Sequence, residues 1–200
     1  WFRQRLLNHC LLVSRPLADD PASYAHVDIA IVGGGATGVE LAAELYNAAA
    51  GLKHYGLEDF DESRLRVTLI EAGPRILPAL PEKLAAAARA ELEALGVRVL
   101  TGVAVTEVTA RGMVLAGGET VPADLRLWAA GVRAPDLLRG IEGLETNRVG
   151  QLLVRPTLQT TNDDHIFAVG DCAFIIDGAT GRPVPPRAQA IRIMMAELQR

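Results

Sequence analysis

Two hundred residues and 21.3 kDa allow one ordinary domain or two lobes sharing a chain. Half the residues are hydrophobic and 22% are charged, which supports a buried core and excludes wholesale disorder. A net charge of −4 and only 4% aromatics argue against a phosphate-backbone binder or a row of base-stacking platforms, so nucleic acid is not expected as a partner.

In chain order, Phe2, Leu6, Cys10 and Val13, flanked by Leu7 and Leu11, fall on one helical stripe over residues 2–14. Arg15 to Ala25, with two prolines and Asp19-Asp20, reads as a linker. Val27–Val32 is a short apolar run that ends in Gly33-Gly34-Gly35, as a strand buried on both faces of a parallel sheet would. From Ala36 the spacing of Val39, Leu41, Ala42, Leu45 and Ala49 is helical. Residues 51–64 break that pattern and read as an insertion. Arg66–Glu71 is a second strand, and Pro81-Glu82 opens a helix carrying Leu84, Ala88, Leu92 and Leu95 that Gly96 stops. Val97–Leu100 is a third strand. Val103–Val108, Met113–Leu115 and Glu119–Val121, separated by Arg111-Gly112 and Gly117-Gly118, predict a β-meander. Leu125–Gly131 is a further strand with a glycine exit, Pro135–Gly150 is irregular, Ile166–Asp171 is a strand and turn, and residues 187–198 are helical. Alternating β and α units with tight glycine turns imply an α/β, doubly wound parallel sheet.

Cys10 and Cys172 are too few and too distant for a disulfide framework, which fits a reducing compartment. His9, His26, His54 and His165 show no metal-ligand spacing, so no metal site is expected. No apolar run approaches the roughly 20 residues that cross a bilayer, and Asn8, His9 and Arg15 interrupt any signal-peptide core in the opening residues.

Gly33-Gly34-Gly35-Ala36-Thr37-Gly38 satisfies G-x-G-x-x-G at Gly33, Gly35 and Gly38, after a strand and at the start of a helix. Gly33 permits the sharp turn, Gly35 lets a pyrophosphate approach the backbone, and Gly38 lets the helix press on the sheet. The first helical amides and the helix dipole then hold the anion. An acid should close the second strand roughly 20 residues on, to bind a ribose hydroxyl. Glu71 lies 33 positions after Gly38, and removing the 14-residue insertion 51–64 leaves 19. A carboxylate there repels a 2′-phosphate and favours NADH over NADPH. Arg75, which could receive such a phosphate, is expected to be turned elsewhere by Gly73-Pro74.

The segment from Thr160 to Ala173, with Gly170-Asp171 after an apolar strand, resembles the late flavin-binding motif of two-dinucleotide flavoproteins. Gly38-Val39-Glu40-Leu41-Ala42, the insertion after the first helix, Glu71–Pro78, Trp128-Ala129-Ala130-Gly131-Val132 and Arg187-Ala188-Gln189-Ala190 narrow the resemblance to type II NADH dehydrogenases, the single-subunit NADH:quinone oxidoreductases. The likeness covers residues 27–200. It implies a Rossmann-like NADH-binding lobe over 27–131, an incomplete flavin-binding lobe over 132–200, and a flavin-lobe tail and linker over 1–26. It also implies NADH and FAD as cofactors and a quinone as substrate. Gly33–Gly38, Glu71, Ala130 and Gly131 would hold NADH, and Gly170, Asp171 and Ala188 the flavin. Glu40 would lie near the nicotinamide and Gln189 near the quinone, the two catalytic candidates.

The family's first glycine fingerprint for the flavin does not precede residue 27, so the chain reads as an internal excerpt. On that reading, peripheral contact with the cytoplasmic face of the inner membrane belongs to regions outside these 200 residues. The excerpt alone would be soluble and would neither retain flavin well nor turn over. Apolar surface left on 132–200 by the interrupted flavin lobe would favour non-native dimers of the excerpt, the homodimer expected here. Other flavoprotein reductases (of ferredoxin, rubredoxin or disulfides) and a non-catalytic NADH sensor are the competing readings. Cys172 is expected to be a small buried hydrophobe rather than a redox thiol.

Overall fold

The computed structural model describes residues 2–14, 26–52, 60, 62–178 and 180–184. The chain divides into two compact units, Trp1–Gly131 and Val132–Arg200.

The first unit is built on a four-stranded parallel sheet of β1 (Val27–Val32), β2 (Leu65–Glu71), β3 (Arg98–Thr101) and β7 (Leu125–Trp128), in the order β3-β2-β1-β7. β1 is therefore central, and its residues serve two cores in alternation. Val27, Ile29 and Ile31 pack with Ala42, Leu45, Tyr46 and Ala49 of α2 (Ala36–Leu52) and with Leu92 of α3 (Glu82–Ala94). Ala30 and Val32 instead join Ile70, Met113, Leu115, Val121 and Ala123. The last four come from or adjoin the antiparallel meander β4 (Val105–Val108), β5 (Gly112–Leu115) and β6 (Thr120–Pro122), whose residues cover the other face. This is why β1 reads as an unbroken apolar run: a strand covered on both faces has no solvent side to mark with polar residues.

The α3 helix ends in a Schellman motif. Gly96 takes φ +97°, its N–H donates to the Glu93 carbonyl at 3.0 Å, and the Val97 N–H donates to the Leu92 carbonyl at 3.0 Å. Val97 and Leu92 then meet in the core, so the stop signal also aims the chain into β3. α1 (Phe2–Ser14) buries Cys10 and Val13 in the same core, and Arg64 fastens its end by donating to the Val13 carbonyl at 2.6 Å. The insertion begins later than the sequence pattern suggests, because α2 continues to Leu52. Phe60, within it, is fully buried.

The second unit has its own core of Leu152, Val154, Leu158, Ala168, Ala173, Ile175 and Val184, and a short parallel pair, β8 (Leu152–Leu153) with β9 (Ala173–Phe174). The strand expected at Ile166–Asp171 is not regular. Phe167 makes a single antiparallel bridge to Gln159, and the pairing goes no further because Leu158, at φ +63°, leaves the extended conformation. Gly170–Cys172 is a 3₁₀ turn, and regular pairing resumes at Ala173. The expected linker 15–25 and helix 187–198 lie outside the described residues.

Burial pushes the Cys10 thiol from its ordinary value of 9.0 to about 11. Between those two values the unfolded chain ionises a thiol that the folded chain keeps protonated, so stability falls as pH rises through that window, by roughly 2–3 kcal/mol in total. Urea midpoints taken from pH 8 to 11 should fall more steeply for the wild type than for Cys10→Ala; parallel profiles would exclude Cys10 as the cause.

Candidate functional site

The turn after β1 lies where the strand order reverses, with β2 on one side of β1 and β7 on the other. The carboxyl ends at such a switch point open the crevice in which α/β sheets bind ligands. Strand ends and turn are tied together by main-chain hydrogen bonds. Gly33 N–H donates to the Ile70 carbonyl at 2.8 Å, and Ala129 N–H donates to the Val32 carbonyl at 2.7 Å.

The glycines of the turn differ in what a side chain would meet. At Gly33 a Cβ would stand 2.5 Å from the Ala129 carbonyl oxygen, and φ is +112°. At Gly38 it would stand 1.9 Å from the Gly33 carbonyl oxygen, so the first turn of α2 rests on the loop backbone itself. At Gly34 it would strike Glu71 Cβ and Ile76 Cγ2, each at 2.9 Å. At Gly35 it would meet nothing within 4 Å. Three positions thus exclude a Cβ because protein fills the space, and the fourth faces an opening. That pattern fits a ligand that comes close to the backbone at Gly35.

The amides sort in the same way. Those of Gly33 and Gly34 are engaged within the protein. The helical ladder starts only with Val39 N–H on the Gly35 carbonyl at 3.1 Å, so amides earlier in the first turn have no carbonyl a turn back inside the helix. Ala36 and Thr37 are exposed there. Such a helix start is an anion site by geometry and by dipole.

Glu71 closes β2 with its carboxylate on this turn. Its Oε2 accepts Gly34 N–H at 2.6 Å and its Oε1 accepts Gly73 N–H at 2.6 Å. A carboxylate offers about four acceptor positions, so two remain for hydroxyls. The Arg75 guanidinium is committed elsewhere. It donates to the carbonyls of Leu77, Pro78 and Leu80 at 3.0, 2.9 and 3.1 Å. Ala130 and Gly131 are exposed at the exit of β7, with Gly131 at φ +105°, and Glu40 is exposed one turn into α2.

In the second unit, Gly170 takes φ +81° and Asp171 is exposed. Their turn is held by the buried side chain of Gln151, whose Nε2 donates to the carbonyls of Asp171 at 3.0 Å and Ala173 at 3.3 Å. Asn147 Nδ2 donates in turn to Gln151 Oε1 at 2.9 Å. Cys172 is half-buried rather than buried, and its thiol donates to the Val169 carbonyl at 3.3 Å. Ala188 and Gln189 lie outside the described residues. Sequence pattern did not single out Asn147, Gln151 or Leu77. Two amides four residues apart in an irregular stretch were the available sign for the first two, and a leucine with positive φ carries none. Among the described residues no cluster of His, Cys, Asp and Glu could hold a metal, and no helix is long and apolar enough to cross a membrane.

A glycine turn opening a helix at a strand-order reversal, with an acid from the next strand fixed against it, defines a dinucleotide-binding βαβ unit. The chain belongs to the pyridine nucleotide-disulphide oxidoreductase family, whose model matches residues 1–192. It is similar to the type II NADH:quinone oxidoreductase of Haemophilus influenzae, 54% identical over 168 residues that make up 84% of this chain and 38% of that protein. It also resembles the type II NADH:quinone oxidoreductase of Staphylococcus saprophyticus, 33% identical over 189 residues, 88% of this chain and 46% of that one. The chain therefore spans less than half the length of these curated relatives. Among solved structures, NDH2 from Plasmodium falciparum in complex with NADH has the same fold, with a TM-score of 0.71 at 22% identity over 87% of this chain and 37% of that one.

Two alanine substitutions separate the glycine packed on backbone from the one that faces the opening. Gly33→Ala should lower the melting temperature by several degrees and abolish NADH binding, through a main-chain clash at an unfavourable φ. Gly35→Ala should melt like the wild type yet bind NADH at least tenfold more weakly by calorimetric titration. Normal NADH affinity in Gly35→Ala would remove the pyrophosphate from this turn.

Proposed function

We propose that these 200 residues carry the NADH-binding lobe, and the returning part of the flavin lobe, of an FAD-dependent NADH:quinone oxidoreductase. The single observation that carries the reading is the Glu71 carboxylate seated on Gly34 N–H at 2.6 Å, although α2 and the insertion put the two residues 37 positions apart in the chain. The names of the two curated relatives support the quinone as acceptor over ferredoxin or a disulfide.

In this reading residues 27–131 are the NADH lobe, residues 132–200 belong to the flavin lobe, and residues 1–26 lead out of the flavin lobe's earlier part. The amides of Gly35, Ala36 and Thr37, with the dipole of α2, receive the NADH pyrophosphate, while Gly33, Gly34 and Gly38 shape the turn. The two free acceptor positions of Glu71 take the adenosine ribose hydroxyls. Ala130 and Gly131 line the same crevice from β7, and Glu40 stands toward the nicotinamide end. Asp171, on a turn anchored by Gln151, accepts a hydroxyl of the flavin's ribityl chain beside Gly170; Ala188 and Gln189, outside the described residues, are assigned to the flavin ring and quinone by the family resemblance alone. When bound, the flavin supplies the chemistry of accepting hydride and passing two electrons to quinone; the protein supplies binding, orientation and exclusion of water. Peripheral attachment to the inner membrane's cytoplasmic face and pairing as a homodimer complete the proposal for the whole protein.

The carboxylate of Glu71 repels the 2′-phosphate of NADPH, and the Arg75 guanidinium is already engaged with carbonyls. The wild type should therefore bind NADH at least tenfold more tightly than NADPH, about 1.4 kcal/mol, and Glu71→Gln should shrink that ratio. A preference for NADPH would defeat the role of Glu71. The whole protein, loaded with FAD, should oxidise NADH only when a quinone is supplied; oxidation supported by a ferredoxin or a disulfide in place of quinone would replace the reading.

A further inference from the structure

The loop between β2 and α3 contains a residue held in an unusual conformation beside the proposed NADH turn. Leu77 takes φ +48°, a left-handed conformation that a branched, half-buried leucine rarely adopts. Backbone held this way persists only where its surroundings over-determine it, and it concentrates at binding sites. Three contacts fix it here. Ile76, fully buried, anchors the residue before it in the core, with Cγ2 against Gly34. Leu80 N–H donates to the Leu77 carbonyl at 2.9 Å, and the Arg75 guanidinium donates to the same carbonyl at 3.0 Å while bridging on to Pro78 and Leu80.

The turned-out backbone of Leu77 has one contact toward the site: its N–H donates to the Gly34 carbonyl at 2.7 Å. The Gly34 residue is thus gripped at both polar groups, its N–H by Glu71 Oε2 and its carbonyl by Leu77. Its carbonyl carbon is bonded to the Gly35 nitrogen, so the peptide plane that Leu77 fixes is the plane that sets the direction of the Gly35 N–H. Without that grip the plane is free to rotate, and the Gly35 donor no longer has a set aim.

We propose that Arg75 is a positioning residue for NADH: by pinning the Leu77 carbonyl it holds Leu77 in its left-handed turn, which fixes the Gly34–Gly35 peptide plane and aims the Gly35 N–H at the pyrophosphate. It rests on the dinucleotide reading of this turn. It also gives Arg75 a task that competes with receiving a 2′-phosphate, since both its terminal nitrogens are spread over three carbonyls of one loop.

The experiment titrates the 200-residue chain with NADH, NADPH and ADP-ribose at 25 °C, in wild type, Arg75→Met and Arg75→Lys, with melting curves for each. Arg75→Met should weaken NADH, NADPH and ADP-ribose by a similar factor of ten or more, because all three share the pyrophosphate. Arg75→Lys, which keeps a donor for one or two of the carbonyls, should recover part of that loss. A merely structural role would lower the melting temperature and leave the dissociation constants of the folded protein within twofold, which overturns the proposal. A loss confined to NADPH overturns it too, because Arg75 would then read the phosphate. If the wild type binds none of the three ligands, the dinucleotide reading itself falls and the proposal with it. Wild-type binding with unchanged Arg75→Met affinity instead sinks only the positioning role. Should Arg75→Met fail to fold, the same comparison is read from Arg75→Lys, where an affinity within twofold of wild type for all three ligands overturns the proposal.

Discussion

Everything at the candidate site depends on how close two stretches of main chain come at the end of β1. Gly33 sits against the Ala129 carbonyl and the Ala130 Cα with no room for a methyl group, and Gly38 sits against the Gly33 carbonyl in turn. Backbone packed on backbone at that distance leaves no slack for a side chain, so the turn's shape is set by its neighbours rather than by its own torsional preferences. The consequence is preorganisation: the amides at the start of α2 are in place before any ligand arrives. A rigid donor array loses little freedom on binding, which is where a small site gains affinity.

The sheet carries this constraint outward. β1 is held between β2 and β7 by continuous parallel registers, Val27–Val32 against Leu65–Ile70 and Ile29–Val32 against Leu125–Trp128. Because its two faces feed separate cores, one under the helices and one under the meander, β1 is fixed from both sides as well as along both edges. Glu71 and Ala129 are delivered to the turn by those registers. The loop from Glu71 to Leu80 then closes the arrangement by gripping Gly34 at both its polar groups.

Much of this could be read in the residues. The doubled burial of β1, the start of α2, the stop of α3 at Gly96 and the three meander strands follow from periodicity and glycine placement, since each is a local solution to a local problem. The glycine turn after β1 and the placement of Glu71 against it were equally legible once the insertion was discounted. What the pattern missed is non-local. Phe60 reaches the core from a stretch with no periodicity, so nothing near it in the chain marks its burial. Ile166–Val169 has the composition of a strand but makes one bridge, because a strand needs a neighbour and Leu158 turns the adjacent segment away. Leu77 and Gln151 act through main-chain hydrogen bonds, which carry no sequence code beyond the turn or pocket that aims them.

The position of β1 also governs the order in which the molecule can be made. Its two partners along the chain are far apart: Leu65 is the first residue of one, and Trp128 the last of the other. During synthesis β2 can join it early, but the edge facing β7 stays unpaired until some hundred residues later, when the meander has emerged as well. The wall that Ala129 and the two residues after it provide is therefore late to join the crevice. Pairings of such long sequence separation close slowly, and an apolar strand left open in the interval is a template for the wrong partner. The nascent chain thus passes through a stage in which its central strand is complete, apolar and bare along one edge, when a chaperone would have most to shield.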